Sequence, residues 1–87
     1  MLFLFSSAPD TKEFKTAYKM AKDMNAEICL LQNAVYAAGN ADNHTHYALS
    51  DDLALRGIDK NTVTAKVIDY SQLIDIMTKT DKVVGLF

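Results

Sequence analysis

Short apolar runs alternate with helical patterns from one end of the chain to the other, and that alternation restricts the fold more than any other feature. Leu2 to Phe5 is a continuous apolar run, suited to a strand covered on both faces. Ser6 to Asp10 breaks the pattern, and Asp10 with Glu13 has the spacing of a capping box. Phe14, Ala17, Tyr18, Ala21 and Met24 then recur at three- and four-residue steps, which predicts a helix with one apolar stripe, ended by Asn25. Glu27 to Leu31 is the second strand candidate, and NAVYAAG reads as a short helix with Asn33 as N-cap and Gly39 just past its end. Tyr47 to Leu49 gives a third strand. Ser50 is placed to cap the next helix, with Asp51 and Asp52 at its positive end, and Gly57 to stop it in a left-handed turn with Ile58 folded back on Leu53. Lys66 to Tyr70 and Lys82 to Phe87 are the fourth and fifth strands. Between them Ser71 caps a helix whose predicted inner face is Leu73, Ile74 and Met77.

Strands separated by helices pair in parallel through right-handed crossovers, with helices on both faces, so the pattern implies a small open α/β sandwich. The 87 residues form one domain, 1–87. A chain of that size buries only about two-thirds of its unfolded surface, which leaves room for partners to complete the core. With 49% hydrophobic and 23% charged residues the sequence is too apolar for a disordered chain. A net charge of -2 implies no whole-chain attraction to nucleic acid, and no direct nucleic-acid binding is expected. The single cysteine cannot form an internal disulfide, which fits a reducing compartment. The opening MLFLFSSA lacks the basic segment of a signal peptide, and no apolar run reaches membrane-spanning length. The expectation is a soluble cytoplasmic protein.

In sheets of this kind, ligands and reacting groups sit beyond the carboxyl ends of the strands. That places Ser6, Ser7, Gln32, Asn33, Ser50 to Asp52, Tyr70 and Ser71 on one rim. Cys29 lies before that rim, between Ile28 and Leu30, where a cysteine packs as a small hydrophobe; a reactive thiol wants an electropositive, partly exposed setting. His44 and His46 with Asp42 suggest a metal, but a site needs three or four ligands, and a surface pair is the plainer reading. No metal and no cofactor is expected. Lys12, Lys15, Lys19 and Lys22 share one side of the first helix, as a solvated face or a dock for an acidic partner or an RNA backbone. Arg56, one turn from Asp52, is placed for a local ion pair. No serine has a matching base and no glycine-rich phosphate loop is present, so the residues supply no complete catalytic set.

Three segments, LLQNAVYAA, YALSDDLALRGI and VIDYSQLIDIMTKTDKV, resemble in order and spacing the DsrH/TusB family of sulfur-relay proteins. The most specific part is Tyr47-Ala48 followed by Asp52-Leu53-Ala54-Leu55-Arg56-Gly57 and then Asp69-Tyr70. The resemblance implies a DsrEFH-like fold: α/β, a three-layer α/β/α sandwich with a five-stranded parallel sheet. It also implies a subunit of a TusBCD or DsrEFH type hetero-oligomer. Its partners would be DsrE/TusD-like and DsrF/TusC-like siblings and, through the complex, a TusE/DsrC-like acceptor of persulfide sulfur. That sulfur serves tRNA wobble-uridine 2-thiolation or sulfur metabolism. Such subunits carry no transfer cysteine, so no catalytic residue is assigned. Gln32, Asn33, Tyr36, Ser50, Asp52 and Arg56 are the expected partner-binding rim. Some DsrH members have a cysteine in the first helix, where this chain has Ala17 and Tyr18. Where relatives commonly have glycine, this chain has Ala34, so no left-handed turn is expected there. The other readings are a stand-alone sulfurtransferase using Cys29, or a small anion-binding module; a homo-oligomer in isolation is compatible with each.

Overall fold

The computed structural model describes residues 1–40 and 46–86. Five strands, β1 (Leu2–Phe5), β2 (Glu27–Leu30), β3 (His46–Leu49), β4 (Lys66–Ile68) and β5 (Val83–Leu86), form one sheet in the order β4-β3-β2-β1-β5. Every pairing is parallel. The α-helices are α1 (Lys12–Asp23), α2 (Ser50–Leu55) and α3 (Tyr70–Lys79), and a 3-10 segment runs from Gln32 to Asn40. The first three crossovers step in one direction across the sheet, and the fourth returns over three strands to place β5 beside β1. A constant right-handed crossover then puts the first three helical segments on one face and α3 on the other. This is the expected three-layer sandwich.

Side-chain alternation along the strands builds two cores. Phe3, Phe5, Ile28, Leu30 and Ala48 meet Phe14 and Ala21 of α1, Ala34, Val35 and Ala38 of the 3-10 segment, and Leu53 of α2. Leu2, Leu4, Cys29, Leu49 and Ile68 meet Leu73 of α3, with Tyr47 and Ile76 at the margin.

The helix ends differ from expectation where several polar residues compete. Thr11, not Asp10, caps α1 by accepting from the Phe14 amide at 3.2 Å. Asp69, not Ser71, caps α3 and forms a reciprocal box with Gln72, which stops β4 at Ile68. Ser50 is the first residue of α2, whose cap position is Leu49, with no side-chain bond. Asn33 and Gly39 both lie inside the 3-10 segment rather than at its ends. Met24 is exposed. On α3 only Leu73 is buried, with Ile76 packed beside it; Ile74 and Met77 face outward.

The C-terminal stops of α1 and α2 share one mechanism. Asn25 (φ 58) and Gly57 (φ 66) take the left-handed conformation. The following amides of Ala26 and Ile58 then reach back to the carbonyls of Ala21 and Leu53, each at 3.0 Å.

Candidate functional site

The rim at the carboxyl ends of β2 and β3 is built on Asp52. Its position in the first turn of α2 suits a carboxylate, yet it is only 6% exposed, so its oxygens need donors. The Gln32 amide donates to Asp52 Oδ2 at 2.9 Å. Arg56, one helical turn on, brings Nη1 to 3.7 Å from Asp52 Oδ1 and donates to the Asp52 carbonyl at 3.2 Å. Its Nε and Nη2 grip Asn33 Oδ1 at 3.2 and 3.1 Å. Gln32, Asn33, Asp52 and Arg56 are thus one network that ties the β2 exit to α2.

That network explains the backbone at Gln32, which takes φ 47 without being glycine. A left-handed residue of this type costs about 1–2 kcal/mol, and here the bond from its own N–H to a buried carboxylate offsets the cost. The left-handed turn therefore sits two residues before Ala34, which is buried in the 3-10 segment. Tyr36, on the same segment, is 54% exposed, and Ser50 is half-buried; neither belongs to the network. Of the other rim residues, Ser6 is buried, Ser7 is half-buried, and Tyr70 and Ser71 stand exposed at the start of α3.

Cys29 lies apart from this rim chemistry. It sits in register between Leu4 of β1 and Tyr47 of β3, with no exposed surface, in the core under α3. Burial, and secondarily the Asp52 carboxylate, push its thiol up to about 12. Only the thiolate attacks or carries sulfur, so the folded protein holds this group in its inert form at neutral pH. Tyr47 is also raised, first by burial and then by the Glu27 carboxylate, to which its hydroxyl donates.

The remaining candidates divide plainly. Asp42 and His44 lie outside the described residues, and among the described residues no group of three His, Cys, Asp or Glu is arranged to hold a metal ion. No helix among them is long and apolar enough to cross a membrane. Sequence reasoning missed the bond between Asn33 and Arg56, for which only the i, i+4 spacing of Asp52 and Arg56 gave a partial signal. It also missed an exposed apolar stripe of Tyr70, Ile74 and Met77 on α3, whose i, i+4, i+7 spacing was visible.

A model of the family described as DsrH like protein matches residues 6–83. The chain belongs to the DsrH-like family. A similar solved structure is the solution NMR structure of protein Tm0979 from Thermotoga maritima, 28% identical, covering 94% of this chain and 97% of that one, with a TM-score of 0.74. No curated protein matches this sequence. Membership makes this a sulfur-relay-related protein at the level of the family. In this DsrH-like chain, the Asp-Leu-x-x-Arg-Gly pattern is physically the buried carboxylate, the arginine that answers it and the glycine that ends α2.

Proposed function

We propose that this DsrH-like chain is a non-catalytic, interface-forming subunit of a cytoplasmic sulfur-relay hetero-oligomer of the TusBCD or DsrEFH type. It assembles with DsrE/TusD-like and DsrF/TusC-like siblings and supports transfer of persulfide sulfur to a TusE/DsrC-like acceptor, for tRNA wobble-uridine thiolation or sulfur metabolism. One observation carries this reading: the chain's only thiol is fully buried and shifted to about 12. A relay step needs a thiolate that two partners can reach in turn. The stripe of Tyr70, Ile74 and Met77, 53%, 58% and 36% exposed, supports an assembling role, because it offers apolar surface that the fold itself leaves uncovered. The anion-module reading draws no such support, since Arg56 and Asn33 already bond to each other and Arg56 answers Asp52.

Co-expression with the sibling subunits followed by native mass spectrometry tests the proposal. It predicts a complex containing this chain that persists when Cys29 is replaced by alanine. If the siblings assemble with each other and leave this chain out, the proposal fails.

A further inference from the structure

A second surface lies on α1, away from the rim. Pro9, Phe14, Lys15, Tyr18, Lys19, Lys22 and Asp23 line an open groove of about 360 Å³ along the flank of the helix. Its wall is aromatic: Phe14 and Tyr18 stack with centroids 5.5 Å apart, and Tyr18 packs on Phe5 at 6.3 Å. The rim is cationic. Lys22 Nζ stands 5.7 Å from the centre of the Tyr18 ring, and Lys15 and Lys19 are exposed, Lys19 pairing with Asp23 at 3.2 Å. Lys12 extends the row by another turn, so four of the chain's nine basic residues fall on one side of one helix in a protein whose net charge is -2.

We propose that this groove docks an acidic segment of a partner protein, with one aromatic or aliphatic side chain of that segment seated against Tyr18. Charge complementarity selects the occupant. The concentration of lysine attracts carboxylates locally, and the apolar wall rewards a side chain between them. A long polyanion such as RNA is disfavoured because it would also meet the acidic remainder of the molecule, and the groove holds no arginine to stack on bases. The volume accommodates one large side chain and its neighbours rather than a folded domain face. This surface is independent of the assembly proposed above, which uses α3.

The test is an NMR titration of the isotope-labelled full chain with a poly-glutamate peptide carrying one central phenylalanine. The expected result is saturable shifts at Lys15, Tyr18, Lys19 and Lys22. Affinity should fall about tenfold in the double variant Lys15→Glu with Lys19→Glu, both exposed positions, after its melting curve has been matched to the parent. The same peptide with glutamine for glutamate should give no saturable shifts. No response to the acidic peptide, an equal response to the neutral one, or tighter binding of oligouridylate at these residues would each overturn the proposal.

Discussion

The two faces of the sheet are covered differently, and the difference decides which helix is the sole cover of the buried thiol. One face carries α1, the 3-10 segment and α2 over a continuous core of Phe3, Phe5, Phe14, Ile28, Leu30, Val35 and Leu53. The other carries α3 alone, over the smaller set of Leu2, Leu4, Cys29, Leu49, Ile68 and Leu73. Three segments cover the first face, with Val67 and Val84 half-buried at its edges. A single ten-residue helix closes the second only by turning Leu73 and Ile76 inward, and it presents Tyr70, Ile74 and Met77 outward. The thiol of the chain is thus sealed under the helix that carries the exposed Tyr70, Ile74 and Met77 stripe.

The largest loss of stability is expected when the first face is opened. Phe5→Ala removes the ring at the centre of the cluster with Phe3, Phe14 and Tyr18, and should cost about 3–5 kcal/mol in urea unfolding. A cost below about 1 kcal/mol would mean that this face is not the main scaffold. Next in size is Asp52→Ala, which leaves the Gln32 amide without its acceptor and the Arg56 guanidinium without its buried counter-charge, although Arg56 keeps Asn33 Oδ1 and the backbone carbonyl of residue 52. It should cost about 3 kcal/mol and should speed hydrogen exchange at Gln32 in particular. Unchanged exchange at Gln32 would show that the left-handed turn is held by something other than this carboxylate.

Alkaline titration examines the second face. The folded thiol of Cys29 ionises near 12 and an unfolded one near 9, so above the lower value the unfolded chain sheds a proton that the folded chain keeps. Stability should be complete below the unfolded value and fall as pH rises toward the folded one, with a limiting slope of about 1.4 kcal/mol per pH unit. Tyr47 is raised in the same direction, so the comparison is made in a Tyr47→Phe background, where Cys29→Ala should flatten the slope. An identical slope with and without the thiol would contradict its sealed environment. The smallest effect on folding is expected from Ile74→Asp, within about 0.5 kcal/mol because the side chain is already exposed. The same substitution should abolish recovery of the sibling complex in native mass spectrometry. Full assembly of this variant would move the interface off α3.

Much of the fold was legible because the strands are short apolar runs, each α-helix begins beside a polar group, and α1 and α2 end at Asn25 and Gly57, residues suited to a left-handed turn. The parallel, two-faced arrangement follows from that alternation. The caps were less legible, since Asp10 and Thr11, or Asp69 and Ser71, both offer a suitable oxygen, and only the backbone geometry chooses between them. The phase of α3 was missed because Leu73, Ile74, Ile76 and Met77 permit two stripes, and packing on the sheet selects one. Within the rim, the pairing of Asp52 with Arg56 could be read from one helical turn of spacing. The bond from Arg56 to Asn33 could not, because it joins residues 23 apart through the sheet order. The positive φ at Gln32 carried no local signal, since the group that holds it lies on another element.

A non-catalytic role requires Cys29 to be sealed in the folded protein. Mass spectrometry after timed exposure to iodoacetamide at neutral pH, with and without denaturant, measures it. The prediction is an unmodified native protein and complete alkylation once the chain is unfolded. Alkylation of the native protein as fast as that of the denatured chain would contradict the sealed thiol and favour a subunit that carries sulfur itself.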